Sequence, residues 1–419
     1  MIRNYLKIAV KVLLRRKFFT FISLFGISVT LLVLLVASAM LDHTVAPQSP
    51  ESRSDRTLGI HALRMQGPEN TMITDPGYGF LDKNIRPLAA LPGVEAVTVY
   101  SNPDSLSSYV SGRKITSSVK RTDGQFWRVF DFEFLEGQPF SVADEESGNF
   151  VAVISAATQE RFFGDQKAVG KTIEVDGQRF RVVGVVRNVP VIRVNSAADL
   201  WVPISTAKTS SYKEQVIMGS FNSVILARSR ADFPAIKAEV QARLRQVEKN
   251  LPDPKMFKTL SGSADTMFES ISRRTLPADF EQDPGVRLWK ILLIFTVLFL
   301  LLPTVNLVNI NLSRILDRAS EIGVRKAFGA SSRTLVGQFL IENLVLTLVG
   351  AAFGLLLAIA VLGALNSSGV IPYAHFTVSY RVFFQGLGVA LFFALLSGVY
   401  PAWRMSRLHP VKALRGRTV

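Results

Sequence analysis

Apolar and polar positions divide this chain into four long uncharged runs and one long mixed stretch. Phe18 to Leu41, Ile291 to Leu312, Asn343 to Leu365 and Val382 to Trp403 contain no charged residue and cover 24, 22, 23 and 22 residues. A helix needs about 20 residues to cross the hydrocarbon core of a bilayer, so each run passes the length test. Ala37-Ser38-Ala39 gives the first run a likeness to a cleavable signal peptide. Its length exceeds the roughly 7–15 residues of a signal core, which favours a retained anchor. The expected layout is spans at 18–41, 288–312, 335–365 and 382–403, with segments 1–17, 313–334 and 404–419 on one side and 42–287 and 366–381 on the other.

Between the first two runs the pattern changes to short alternations broken by Gly, Pro, Asp and Asn. Phe80 to Leu91 reads as a helix ended by Pro92-Gly93. Val94 to Tyr100, Val151 to Ser155, Thr172 to Val175, Arg179 to Val186 and Val224 to Ala227 read as strands. Asp176-Gly177 is a hairpin signal. Asp232 is expected to cap a helix reaching about Asn250, with Ile236, Val240, Leu244 and Val247 on one face. The fold class is therefore an integral membrane α-helical protein with four transmembrane helices. A large extracytoplasmic α/β + β domain lies between helices 1 and 2, with a β-rich insert at about 107–219.

Charge fixes the expected orientation. The chain carries a net +15, which by itself is compatible with nucleic-acid binding. Its distribution excludes that reading. Segments 1–17, 313–334 and 404–419 hold sixteen cations, Arg3, Arg15 and Arg404 among them, against Asp317 and Glu321, and so account for +14 of the total. This is the positive-inside pattern: both termini and the middle loop are expected in the cytoplasm, in part against anionic lipid. Met1 to Lys17 also has an amphipathic helical pattern suited to the membrane interface.

Candidate chemistry is sparse. There is no cysteine, so disulfides and thiolate metal sites are excluded. His43, His61, His375 and His409 are scattered without metal-ligand spacing. The stretch from Gly164 to Thr172 resembles a phosphate loop but has five residues between its glycines where four are needed, and strands follow it instead of a helix. It reads as a turn into a strand. No catalytic residues, bound cofactor or metal are expected.

The cytoplasmic text is more specific. Glu321-Ile-Gly323-Val-Arg325-Lys326-Ala-Phe-Gly329-Ala330, followed by Gln338-Phe-Leu-Ile-Glu342, resembles the signature of the MacB/FtsX-like permeases of ABC transporters. Gly398-Val-Tyr-Pro401-Ala-Trp-Arg404 and Pro410-Val-Lys-Ala-Leu-Arg415 match the ending of that family. Phe162-Phe-Gly164, Val169-Gly-Lys171 and Phe180-Arg-Val-Val-Gly-Val185 resemble its periplasmic core domain more loosely.

The resemblance implies the permease subunit of a dimer in a bacterial inner membrane, paired with a second permease copy or a related permease. ATP and Mg would be bound by a cytoplasmic ABC ATPase, expected on another chain because 17 residues precede the first span. Membrane lipids and a periplasmic adaptor are further expected partners. Glu321, Gly323, Arg325, Lys326, Gly329 and Ala330 would form the coupling segment to the ATPase, the glycines permitting tight turns. Mechanotransmission through the helices would drive export or extraction of a peptide, antibiotic, lipoprotein or other amphiphile. The alternative is an FtsX-like transducer that regulates a cell-wall hydrolase without transport.

Within the spans, Asn306, Asn309 and the Gly350–Gly354 GxxxG pair are expected in helix packing. Glu342 is an intramembrane carboxylate that needs a basic neighbour or the headgroup zone.

Overall fold

A computed structural model describes residues 14–15, 17–110, 112–251, 255–276, 283–317, 324 and 332–406. The chain forms two compact units. One contains the long apolar helices. The other comprises His43–Leu288 with the short piece Ile371–Ala374.

In the helical unit, Lys17–Val45, Leu340–Ser368 and Tyr380–Ser397 are long and apolar enough to cross a membrane, three such helices among the described residues. The second expected span falls in the 34-residue helix Pro284–Asp317, which is not one of those three. The core of this unit joins Ile27, Leu31 and Leu35 of the first helix to Leu346, Ala351 and Ala358 of the third and Phe383 of the fourth.

The outer unit is built on strands β1 (Thr57–Ile60), β2 (Leu63–Gln66), β3 (Thr71–Pro76), β4 (Val94–Ser101), β5 (Asp104–Val110), β6 (Arg113–Thr122) and β7 (Phe134–Gly137). The chain continues through β8 (Val151–Ser155), β9 (Thr172–Val175), β10 (Gln178–Val186), β11 (Leu200–Pro203), β12 (Met218–Gly219), β13 (Phe221–Ala227) and β14 (Thr259–Gly262). One ten-stranded sheet runs β1-β13-β4-β6-β11-β8-β10-β7, with β5 added to β6 and β9 to β10. A second runs β12-β3-β2-β14.

Apart from β12, the strands of the 107–219 stretch therefore lie on the same sheet as β1, β13 and β4. The junction is narrow: β4 meets β6 through the single pair Tyr100↔Thr122. Most pairings are antiparallel, but β11 runs parallel to β6, and β10 to β8.

Strands β4 and β13 are covered on both faces, which explains their nearly continuous apolar sequence. Val97, Val99 and Ile225 join the helices Tyr78–Asn84 and Phe233–Glu248 in one core. Ala96, Tyr100, Val224 and Leu226 face the opposite way, onto Phe126, Phe130 and Trp201. A third core gathers Ile154, Ile173, Phe180, Val182 and Leu200 around the far strands.

Two local expectations change. The helix expected at Phe80 to Leu91 is split into Tyr78–Asn84 and a 3₁₀ turn, Arg86–Ala90. Pro87 has no N–H to continue the α ladder. Asp232 precedes the helix Phe233–Glu248 but does not cap it with its side chain. Its carboxylate accepts from the Ser229 N–H at 3.0 Å, closing a capping box on the turn before. The apolar face of that helix is as expected: Ile236, Val240 and Leu244 are buried and Val247 packs beside them.

Between β9 and β10, Asp176 and Gly177 have φ of 51° and 71°. Positive φ at both central residues is the type I′ condition that lets a two-residue turn match strand twist. The stretch before β9 is tied up by its own backbone. Gly170 N–H donates to Val182 at 2.8 Å and Lys171 N–H to Ala168 at 3.0 Å. These bonds make it a turn into a strand and leave no open ring of donors for a phosphate.

Candidate functional site: a buried ionic cluster where the chain enters and leaves the outer unit

The coupling segment expected from the sequence, Glu321, Gly323, Arg325, Lys326, Gly329 and Ala330, lies outside the described residues. The same holds for most of the amphipathic stretch 1–17 and for His409. Asn306 and Asn309 fall on the helix Pro284–Asp317, with their side chains outside the description.

The glycine pair is fully described. A Cβ on Gly350 would sit 2.9 Å from Ile27 Cγ2, and one on Gly354 would sit 2.9 Å from the Ser28 carbonyl oxygen. The first and third helices thus approach backbone to backbone. Ser28 Oγ–H donates to the Gly350 carbonyl at 2.9 Å, across the same contact. Glu342 and Asn343, earlier on the third helix, are both buried.

The outer unit holds a second constellation, assembled from five separate segments. The connector after the first helix brings Ala46 and Glu51. Strand β6 brings Lys120, the turn-rich segment after β10 brings Arg193, Asn195 and Ser196, β4 brings Tyr100, and β1 leads to His61.

Arg193 donates to the Ala46 carbonyl at 2.9 Å and lies 3.8 Å from Glu51. Ser196 Oγ–H donates to Glu51 at 2.8 Å. Lys120 is fully buried and donates to the Val194 and Asn195 carbonyls at 3.0 and 2.7 Å. Its ammonium also lies 5.0 Å from the centre of the Tyr100 ring, within cation–π range. Asn195 Oδ1 accepts from Tyr100 O–H at 2.9 Å and contacts His61 Nε2 at 2.9 Å.

Electrostatics follow from this burial. Desolvation pushes the Glu51 carboxyl up and the Arg193 guanidinium down, in each case against the attraction of the partner. The pair therefore recovers less than its desolvation costs, and its effect is to fix position. Burial pushes Lys120 down to about 7. It pushes His61 down to about 4, helped by the nearby Arg274. His61 is neutral at pH 7, so Nε2–H donates to Asn195 and Nδ1 accepts from Ser270 O–H at 3.3 Å. Gly59 is required here, because a Cβ on it would fall on the His61 ring.

Ser270 belongs to the helix Met267–Thr275, the last helix before Pro284–Asp317. A Thr266–Glu269 capping box starts it. Lys237 grips Glu269 at 2.8 Å, and Arg273 pairs with Asp265 at 2.8 Å. Asp265 in turn exchanges backbone bonds of 2.7 and 2.8 Å with Gly59. The outer unit, His43–Leu288, is thus held near the two ends of that segment, at Ala46–Glu51 and at Asp265–Arg273, and both places are tied to β1, β4 and β6 through one polar cluster.

Nothing in the sequence singles out Glu51, Lys120, Arg193 or Asn195, and His61 is one of four scattered histidines. A lysine in an alternating strand gives no sign of which face is closed. Among the described residues no group of His, Asp and Glu is arranged to hold a metal ion.

Two domains of known type account for most of this chain. Residues 20–243 match the MacB-like periplasmic core domain, and residues 293–410 match the FtsX-like permease C-terminal domain. The protein belongs to the MacB/FtsX-like permease family of ABC transporters.

It is 24% identical over 336 residues to the ABC transporter permease YknZ of Bacillus subtilis, covering 80% of this chain and 79% of YknZ. It is 28% identical over 334 residues to the pyoverdine export ATP-binding/permease protein PvdT of Pseudomonas syringae, covering 79% of this chain and 46% of PvdT. It is 27% identical over 362 residues to the macrolide export ATP-binding/permease protein MacB of Vibrio parahaemolyticus, covering 82% of this chain and 51% of MacB. The chain spans about half the length of those two ATP-binding/permease relatives.

Among solved structures, the periplasmic region of MacB from Actinobacillus actinomycetemcomitans is 16% identical, covering 54% of this chain and 94% of its own, with a TM-score of 0.38. The extracellular domain of YknZ is 18% identical, covering 49% of this chain and 98% of its own, with a TM-score of 0.36.

Proposed function

We propose that this chain is the membrane-embedded permease of an ABC exporter and that it couples ATP hydrolysis by a cytoplasmic ATPase subunit to movement of its outer unit. The observation that carries this reading is the match of residues 20–243 and 293–410, in order, to the two domains of one permease family. Four spans, cytoplasmic termini and a bacterial inner membrane complete it, supported by charge-free runs and cationic short loops. ATP and Mg belong to the ATPase. A second permease subunit and a periplasmic adaptor are the further partners.

The ionic cluster supports mechanotransmission. A pull on either membrane-connected segment reaches the outer sheet through buried, fixed contacts, because Arg193 holds Ala46 and His61 holds Ser270. Export fits the names of the pyoverdine export and macrolide export relatives. The cargo class proposed is a peptide, antibiotic, lipoprotein or similar amphiphile.

Co-purification in detergent tests the assignment. Wild type should bring down a cytoplasmic ATPase with measurable ATP hydrolysis. Arg325→Glu/Lys326→Glu should lose that subunit while remaining folded. Recovery of no ATPase with well-folded wild type would overturn the permease reading and leave a free-standing sensor or anchor. Equal recovery with the variant would move the contact away from the two cations.

A further inference from the structure

The outer unit contains a 340 Å³ cavity beside the ionic cluster. This is at the small end of ligand cavities, too small for a folded peptide and sufficient for roughly a dozen non-hydrogen atoms. Its wall has two characters. Val189, Val191, Val194 and Ala197 supply an apolar side, and His61, Tyr100, Asn195 and Asn222 supply a polar one. Val191 and Val194 are exposed although both are large and apolar. Asn222 is buried, and its Oδ1 accepts no hydrogen bond among the described residues.

Charge around the cavity is one-sided. Asp199 is the acid on its wall, and both carboxylate oxygens are taken. Arg161 binds Oδ1 at 2.6 Å, and the Ser118 N–H donates to Oδ2 at 2.9 Å. His61 is neutral at pH 7. Arg274 is exposed and has no ion pair among the described residues. An anion entering the cavity therefore meets an uncompensated guanidinium, a geometry suited to carboxylate or sulfonate.

We propose that this cavity binds a small amphiphilic anion, with its acidic group at Arg274 and its apolar body against Val189, Val191 and Val194. The occupant lies against the segment that carries Arg193 and Asn195, so binding bears on the contacts that hold Ala46 and Glu51. This inference goes beyond the permease reading, and its test requires no ATPase.

The chain has no cysteine, so one introduced thiol reports alone. Ala198→Cys places it on the cavity wall, and Val191→Cys is a second reporter if the first does not fold. The full chain in lipid nanodiscs is labelled with anionic sulfonatoethyl or cationic trimethylammonioethyl methanethiosulfonate, with rates normalised to a free thiol. The anion should react at least fivefold faster, and Arg274→Gln should abolish that preference. Millimolar 4-phenylbutyrate should slow labelling saturably by threefold or more, while the neutral 4-phenylbutanol leaves it unchanged. Equal rates for the two reagents, protection by the alcohol as much as by the acid, or a thiol closed to both reagents would each overturn the proposal.

Discussion

Arg193 and Glu51 face each other at 3.8 Å with side chains 1% and 3% exposed. Glu51 sits a few residues beyond the first apolar helix, and Arg193 sits between β10 and β11. The contact therefore joins the connector to the middle of the sheet domain.

Removing one partner leaves the other charge buried. Arg193→Met or Glu51→Leu should each destabilise the outer unit by about 3–5 kcal/mol, and the double variant should cost less than the worse single one. Denaturant unfolding followed by tryptophan fluorescence checks this, since Trp201 is buried and donates to the Ser196 carbonyl within the same cluster. Strictly additive losses would show that the two charges act separately.

His61 is held down to about 4 from an ordinary 6.5, mainly by burial. Between those values the unfolded chain binds more protons, so stability should be lost as pH falls from 6.5 toward 4, by up to about 3 kcal/mol. His61→Gln should flatten that part of the profile. Unchanged pH dependence in the variant would place the acid sensitivity elsewhere.

Lys120, pushed down to about 7 from 10.5 by burial, obeys the same sign over a different range. The unfolded chain binds the extra proton between 7 and 10.5, so stability should rise with pH across that window. Lys120→Met should remove the rise. It should also cost stability at neutral pH, because the Val194 and Asn195 carbonyls lose their donor. Thermal unfolding at several pH values separates the two effects.

Gly354 and Gly363 lie on the same helix with opposite surroundings. A Cβ on Gly354 meets the Ser28 carbonyl oxygen at 2.9 Å, whereas one on Gly363 has nothing within 4 Å. Gly354→Val should weaken the helical unit by about 1–3 kcal/mol through forced separation of the helices. Gly363→Ala should be neutral or slightly stabilising. Unfolding in mixed detergent micelles gives the comparison, and equal behaviour would show that the close approach is unimportant.

Local sequence carried much of the architecture. Three of the four charge-free runs match helices apolar enough to cross a membrane, and the Asp176-Gly177 pair marks a turn whose φ values follow from residue type. The Phe233–Glu248 face was legible because Ile236, Val240 and Leu244 repeat at helical spacing. Pro87 divides a helix that apolar spacing joined, and Asp232 turns toward Ser229, because each choice depends on which backbone group is available nearby.

The sequence by itself determined which segments are apolar enough for a membrane, where the cations gather and which short strings mark the permease family. Tertiary structure alone decided that Glu51, Lys120, Arg193 and His61 share one interior, and that Arg274 stands over a cavity while Asp199 is occupied. The physical reason is range. Spacing along a helix or strand fixes which side chains share a face, but Arg193 reaches Ala46 across 147 residues of sequence. A buried charge is recognisable only once the strands that close over it have paired.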